Sequence, residues 1–184
     1  MSTTTRKHTR TSRLRSRIRG AVSTRPCPAT VSAHFNHKCE DVVVASIGRC
    51  TAVVGCVAWL RSPKILKALE RVPCTLAITN DVNLPAQAYS KLQPHLPKLP
   101  AVSKVGLARG RRRELMHHKF IVGYTPEPSF VITGSFNYTQ NSADANLDNV
   151  VVVENTEIAK AYLKEAMAIL DIARPVAVTR KRKR

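Results

Sequence analysis

The chain has 184 residues and a formal net charge of +18 at pH 7, and this length suits one domain with a sizeable core. Positions 1–39 hold nine basic residues and no acidic one, and positions 174–184 hold six basic residues and no acidic one. The fifteen basic and twelve acidic residues between them nearly balance. The excess charge is therefore concentrated at the two ends, around a near-neutral centre.

The composition argues against two classes of protein. Five cysteines are an odd number without a C-x-x-C pair, which disfavours a secreted disulfide scaffold and favours a reducing, intracellular compartment. The most apolar run, residues 51–60, is too short to cross a bilayer. The N-terminus also lacks the apolar core of a secretory signal. We therefore expect an intracellular protein without a membrane span.

Residues 1–31 are predicted to be a basic, disordered tail or a targeting segment, because the first 25 residues are mostly Thr, Ser and Arg. An Arg-rich, Ser-rich and acid-free start is typical of a mitochondrial transit peptide. The same arginines are equally suited to neutralising phosphates along a nucleic acid, with a steep salt dependence. A solvated tail that only aids solubility is the third interpretation, and the sequence does not separate the three.

Four zinc-ligand side chains occur near the start of the predicted domain, but their spacing fits no standard zinc finger, so we expect no metal site from them. These residues are Cys27, His34, His37 and Cys39.

A globular domain is predicted over residues 32–173. Its expected elements are a helix over residues 40–48, a buried strand over 52–59, a helix capped by Ser62 with Pro63 at its first position, a strand over 74–79, a helix over 84–95 and a strand over 102–108. This alternation predicts an α/β fold with a central mixed β-sheet flanked by helices.

Four arginines follow the last of these strands, at Arg109, Arg111, Arg112 and Arg113. Clustered guanidinium groups attract polyphosphate, so we expect them to form a substrate-binding rim. A solvated loop is the alternative.

Polar side chains then alternate with apolar ones in two further segments. In an extended strand His117 and Lys119 share one face, whereas His118 lies on the other. By the same alternation Ser135 and Asn137 share a face. An imidazole, an ammonium, a hydroxyl and an amide side by side suit a phosphate.

The last predicted elements are a buried strand over residues 150–153 and a helix over 156–171 that Thr156 caps. Its expected apolar stripe is Ile158, Ala161, Tyr162, Ala166 and Leu170. Residues 174–184 form a basic C-terminal tail, predicted to be disordered. Its final run of five basic residues is typical of a nuclear-localisation signal or a nucleic-acid-binding arm.

The spacing of His117-x-Lys119, Gly134-Ser135-x-Asn137 and the later acidic Asp148 resembles the HKD motif of the phospholipase D superfamily. The resemblance implies a phospholipase D-like domain in which His117 is the nucleophile that forms a phosphohistidine. It also implies that Lys119, Ser135 and Asn137 hold the phosphoryl oxygens and that Asp148 orients the His. One position departs from the family motif, which has an Asp five residues after the Lys, where this chain has Tyr124.

A phosphohistidine scheme requires neither a cofactor nor a metal ion, because Lys119 and a pair of histidines supply the chemistry. In the family the second His comes from a second copy of the motif, and this sequence contains one copy. The resemblance therefore implies a homodimer that completes the active site. His118 is a weaker candidate for the second His, because it faces away from His117 in a strand.

The substrate is not decided by the family, which includes nucleases and phospholipid hydrolases. The basic tails and the arginine cluster favour a metal-independent endonuclease acting on DNA or RNA. Binding of the tails to an anionic membrane surface would favour a cardiolipin-type hydrolase instead. A third alternative is a non-catalytic nucleic-acid-binding protein, which the presence of Tyr124 favours. The choice among nuclear, cytoplasmic and mitochondrial residence stays open.

Overall fold

The computed structural model describes residues 28–79, 90–99, 101–105 and 115–176. These residues form eight strands: β1 (Thr30–Phe35), β2 (Ala52–Val57), β3 (Cys74–Thr79), β4 (Ala101–Val105), β5 (Lys119–Tyr124), β6 (Pro128–Gly134), β7 (Asn149–Glu154) and β8 (Arg174–Pro175). They also form four α-helices: α1 (Lys38–Gly48), α2 (Pro63–Leu69), α3 (Gln140–Asp144) and α4 (Thr156–Leu170). A short 3-10 helix covers Leu96–Lys98.

The strands form one sheet in the order β1-β7-β6-β5-β2-β3-β4-β8. Strands β2, β3 and β4 are parallel to one another, whereas every other neighbouring pair is antiparallel. The parallel pair β2 and β3 is joined through α2, while β5 and β6 are joined by a hairpin, as each geometry requires. The predicted mixed α/β sheet is therefore confirmed.

Helices cover both faces of the sheet. On one face, residues of α1 and α2 such as Val43, Ile47 and Leu66 share a buried cluster with Phe130 and Ile132 of the sheet. On the other face, α4 buries Ala159, Ala166 and Ile169 against Phe120, Val122 and Val131. Because both faces are buried, the central strands are continuously apolar rather than alternating.

Several sequence predictions are confirmed at the level of elements. The helix over residues 40–48 and the strands over 52–59, 74–79 and 150–153 all appear, with bounds that differ by a few residues at most. Ser62 caps α2 as predicted, since its hydroxyl accepts a hydrogen bond from the Ile65 N–H at 3.2 Å. The hydroxyl also donates to the buried carboxylate of Glu40 at 2.5 Å, which ties α1 to α2.

The predicted helix over residues 84–95 is not found in its described part. Residues 90–95 form turns that lead into the 3-10 helix, because Pro94 and Pro97 remove the backbone donors that an α-helix needs. Residues 84–89 lie outside the described residues, as do the end of the predicted strand over 102–108 and most of both tails.

The cap of α4 was predicted one residue too late. Asn155, not Thr156, keeps the extended backbone of an N-cap, and its Oδ1 accepts a hydrogen bond from the Ile158 N–H at 2.8 Å. The helix buries Ala159, Ala166 and Ile169 most completely. Of the predicted stripe, Ala166 is therefore in the core, and Ile158, Tyr162 and Leu170 pack against it while partly buried.

Strand β1 and helix α3 were not predicted, because β1 is almost entirely exposed and α3 is only five residues long. The prediction of disorder from residue 174 onward is wrong at its start, because Arg174 and Pro175 form β8 and pair with β4.

None of the helices in the described segments combines the length and the hydropathy of a membrane-spanning helix.

Candidate active site

The ends of four neighbouring strands bring the motif residues together on one side of the sheet, which we call the site edge. The order β7-β6-β5-β2 is antiparallel throughout, so the ends of β2 and β6 lie beside the starts of β5 and β7. His117 and Lys119 lie at the start of β5, Ser135 and Asn137 follow β6, and Asp148 directly precedes β7. All five predicted catalytic residues therefore lie at this site edge, where the strands start or end.

His117 and Lys119 lie on the same face, as the strand alternation predicts. The Lys119 Nζ lies 3.2 Å from Nδ1 and 3.1 Å from Nε2 of the His117 ring, and it donates to the His117 carbonyl at 2.9 Å. His118 lies on the opposite face, where its Nε2 is 3.3 Å from the Glu165 carboxylate of α4. His118 is therefore turned away from His117.

The surroundings of His117 favour its neutral form. The edge of its ring packs against Trp59, with ring centroids 5.1 Å apart and planes at 81°. Partial burial, followed by the charges of Lys119 and His118, lowers the pKa of His117 below its ordinary value of 6.5. These effects favour the neutral imidazole over the imidazolium, and a neutral ring nitrogen can act as a nucleophile.

Lys119 carries the cation of the site. Burial lowers the pKa of Lys119 below its ordinary value, and the negative charge of Asp148 opposes this effect. The Nζ also lies 5.6 Å from the centroid of the Trp59 ring, within the range of a cation–π contact.

Ser135 is held by a reciprocal pair of hydrogen bonds with Asn149. The Ser135 N–H donates to Asn149 Oδ1 at 2.8 Å, and the Asn149 N–H donates to Ser135 Oγ at 3.0 Å. The Ser135 hydroxyl in turn donates to Asp148 Oδ1 at 2.8 Å. The loop after β6 is thereby fixed to the start of β7.

The expectation that Ser135 and Asn137 lie in an extended strand is wrong, because β6 ends at Gly134. Gly134 has a φ of +153°, and a Cβ there would collide with the backbone carbonyl oxygen of Asn149. Glycine lets the two strands approach closely and lets the chain turn into the site loop. The Phe136 side chain is nevertheless buried.

Asp148 contacts Ser135 rather than His117. Its hydrogen bonds to described side chains do not include the His117 ring, and its Oδ2 is buried without a partner among them. Asn137 makes no side-chain hydrogen bond to a described residue, and its Oδ1 is buried and unpaired. The amide of Asn137 is therefore available to a ligand.

Several polar atoms in the loop after β6 and in the segment after β2 are buried without a hydrogen-bond partner among the described residues. Buried polar groups are normally hydrogen-bonded, so each exception calls for an explanation. Among the described residues, five such atoms occur in this part of the fold: Trp59 Nε1, Arg61 Nε, Asn137 Oδ1, Tyr138 Oη and Asp148 Oδ2.

Sequence reasoning assigned no role to three residues that shape the site, namely Trp59, Arg61 and Asn149. Trp59 is the single tryptophan of the chain, and Asn149 directly follows Asp148. Both facts are visible in the sequence, but the contacts of Trp59 with His117 and of Asn149 with Ser135 depend on which strands are neighbours.

Tyr124, which replaces the Asp of the family motif, lies far from the reacting groups. It ends β5, and Lys119 begins that strand, so the two are separated by about 17 Å along the strand. Burial raises the pKa of Tyr124, and its backbone carbonyl accepts a hydrogen bond from the Thr51 N–H at 2.8 Å. The departure from the motif does not remove a group from the site.

The described part of the structure does not bring together the other candidate residues of the sequence, namely the arginine cluster and the four zinc-ligand side chains. Arg109, Arg111, Arg112 and Arg113 lie outside the described residues, and so does Cys27. Within the described segments no three His, Cys, Asp or Glu side chains converge as metal ligands. Cys39 is buried, and its thiol donates weakly to the carbonyl of Asp148 at 3.5 Å.

Comparisons with known proteins agree with this geometry. The family profile described as "Cardiolipin synthase, PLD-like domain" matches residues 62–170. A protein of Xenopus laevis named "Mitochondrial cardiolipin hydrolase" is 28% identical over 143 residues, which are 76% of this chain and 62% of that protein. The chain thus spans less than two thirds of the length of this curated relative.

Two solved structures show the same fold. One is Nuc, a phospholipase D family member from Salmonella typhimurium, with a TM-score of 0.67 and 18% identity over 81% of this chain and 99% of that one. The other is NucT from Helicobacter pylori, with a TM-score of 0.67 and 13% identity over 81% of this chain and 100% of that one. Together with the matched profile, which covers more than half of the chain, they show that this protein belongs to the phospholipase D superfamily of phosphodiesterases.

Proposed function

We propose that the protein is a metal-independent phosphodiesterase that works through a phosphohistidine at His117. Its proposed main activity is that of an endonuclease on DNA or RNA. The observation that carries the proposal is the contact of a neutral imidazole with the ammonium of Lys119. This pairing joins a nucleophile to a cation that can stabilise a phosphoryl oxygen.

In the first step, a ring nitrogen of His117 attacks phosphorus, so that a P–N bond forms and the P–O bond to the leaving alcohol breaks. The leaving oxygen takes a proton from a second, protonated His. In the second step water attacks phosphorus and gives its proton to that His, while the P–N bond breaks and its electron pair returns to His117. Both steps balance without a metal ion or a cofactor.

The remaining motif residues stabilise charge and fix geometry. Lys119 and the free amide of Asn137 are suited to binding phosphoryl oxygens. Ser135 is held by Asn149 and in turn orients Asp148, whose negative charge favours the protonated form of Lys119. Asp148 therefore acts through Ser135 and Lys119 in this chain rather than by a hydrogen bond to His117.

The second His is supplied by a homodimer. His118 is directed toward Glu165 on the other face of the sheet, so it does not reach the leaving group from its position here. A twofold dimer would place His117 of the partner subunit opposite the first one, since a symmetric interface pairs like with like.

A nucleic-acid substrate is supported by the net charge of +18, because basic surfaces attract a polyanion and steer its association. The second candidate is a cardiolipin-type phospholipid, and the printed name of the Xenopus relative favours it. The same name favours mitochondrial residence over nuclear residence.

Cleavage assays with His117→Ala test the proposal, with His118→Ala as the matched control. Both histidines are neighbours, but only His117 faces Lys119. Labelled single-stranded and double-stranded DNA and RNA, and cardiolipin vesicles, are incubated with each protein in excess EDTA. We expect turnover by the wild type and the control and none by His117→Ala. If His117→Ala retains turnover, or if chelation stops the wild type, the proposal is wrong.

A further inference from the structure

Trp59 and Arg61, in the extended segment between β2 and α2, lie on the side of the chain that faces the site. Leu60 and Ser62 alternate with them and are buried in the protein, so Trp59 and Arg61 share the opposite side. The Trp59 ring contacts the His117 ring. Arg61 is therefore on the same side as the proposed nucleophile.

Backbone hydrogen bonds hold this segment beside the site loop. The N–H groups of Arg61 and Ser62 both donate to the carbonyl of Tyr138, at 2.7 and 2.9 Å, and Leu60 forms an isolated bridge with Tyr138. Tyr138 directly follows Asn137. The backbone of Arg61 is thus fixed relative to Asn137, which is proposed to bind a phosphoryl oxygen.

Arg61 carries a positive charge near the site without a protein partner among the described residues. It forms no ion pair with any described carboxylate, and its Nε is buried without a hydrogen-bond acceptor among the described residues. The indole Nε1 of Trp59 is likewise buried and unpaired. Arg61 is only partly buried, but its Nε is shielded from water, and a buried donor without an acceptor is costly. A phosphate would satisfy this Nε–H and a neighbouring Nη–H through two parallel hydrogen bonds.

We propose that Arg61, assisted by the indole N–H of Trp59, binds a second phosphodiester of the substrate, next to the one that is cleaved. Trp59 contacts His117, and Arg61 follows Trp59 by two residues, a span of about 7 Å along an extended chain. Arg61 is therefore displaced from the proposed nucleophile by about the separation of successive phosphates in a nucleic-acid strand. The proposal rests on the proposed function and narrows its substrate to molecules that carry two phosphodiesters. A polynucleotide and a cardiolipin-type lipid both have this chemistry.

Binding to the full chain tests the subsite without requiring turnover. In a His117→Ala background, titrations follow the fluorescence of Trp59, the single tryptophan, together with calorimetry. One arm compares a trinucleotide with the same molecule in which one linkage is an uncharged methylphosphonate. The other arm compares deacylated cardiolipin, with two phosphodiesters, with glycerophosphoglycerol, which has one.

In at least one arm we expect the two-phosphate ligand to bind about tenfold tighter, and that arm identifies the source of the substrate. Arg61→Gln should remove this advantage, Arg61→Lys should restore part of it, and the exposed Arg71→Gln, at the opposite edge of the sheet, should keep it. Equal affinities in both arms, or an advantage that persists in Arg61→Gln, would overturn the subsite. Because these measurements need no hydrolysis, their failure is distinct from a loss of the proposed activity.

Discussion

At the scale of single residues, the protonation state of His117 decides whether the site can react. Its ring lies against Trp59 and beside the Lys119 ammonium, so two physical causes act in the same direction. Burial disfavours the charged imidazolium, and the neighbouring positive charge repels it. The environment of His117 therefore favours the neutral imidazole that the proposed mechanism needs.

The pH dependence of kcat/KM should reflect this environment. Protonation of His117 abolishes its nucleophilicity, so activity falls as the pH drops through the His117 pKa. Because that pKa is lowered from 6.5, we expect the acidic limb of the profile below pH 6.5. The measurement is a pH series with bis(p-nitrophenyl) phosphate, which has no titrating group in this range. An acidic limb attributable to His117 above pH 6.5 contradicts the proposed environment.

Gly134 should tolerate no side chain. In Gly134→Ala the new Cβ meets the carbonyl oxygen of Asn149, and the residue must also keep a φ of +153°. We expect a loss of about 2 kcal/mol or more in the free energy of unfolding, measured by urea denaturation.

Gly48→Ala is the matched control for this substitution, because a Cβ there meets nothing within 4 Å. The control should be neutral or stabilising by up to about 1 kcal/mol. Equal effects of the two substitutions would show that the close approach at Gly134 is not tight.

At the scale of elements, helix α4 depends on Asn155. Its Oδ1 accepts from the Ile158 N–H at 2.8 Å, and its Nδ2 donates to the Pro28 carbonyl at 3.0 Å. Asn155→Ala should therefore cost about 1 to 2 kcal/mol in the free energy of unfolding, whereas Thr156→Ala should cost less than about 0.5 kcal/mol. Chemical denaturation of both variants measures the difference, and a larger effect at Thr156 would contradict the observed cap.

The same elements show how far the sequence predicts the structure. Alternation along a strand is a local property, so it places His117 and Lys119 on one face correctly. The contacts of Trp59 with His117 and of Ser135 with Asn149 join distant segments. They exist because β5 lies between β2 and β6, and because β7 lies beside β6. No local pattern specifies this strand order.

The prediction of the helix boundary fails for a different reason. Asn155 and Thr156 are adjacent good caps, and the choice between them depends on which residue keeps an extended backbone after β7. Tyr124 shows the converse case, since its position in the motif suggested an effect on catalysis. The length of β5 instead places it at the far end of the strand.

At the scale of the whole molecule, the proposed mechanism places two chains at each active site, because each chain carries one copy of the motif. If wild-type protein exchanges subunits with a ninefold excess of His117→Ala protein, most wild-type chains acquire a partner without the second His. We expect the activity per wild-type chain to fall about tenfold by mass action. His118→Ala in the same excess is the control, and because this variant is itself expected to be active, the activity per total chain should stay unchanged. Activity that stays proportional to the wild-type chains in the His117→Ala mixture would rule out a shared site.

The most direct measurement is the identification of the covalent intermediate. Wild-type protein is mixed with a labelled oligonucleotide in excess EDTA, quenched within the first turnover and digested, and the peptide that contains His117 is analysed by mass spectrometry. We predict a P–N adduct on His117 that forms before product and is absent from His117→Ala. Turnover without this adduct, or an adduct on His118, would contradict the assignment of His117 as the nucleophile.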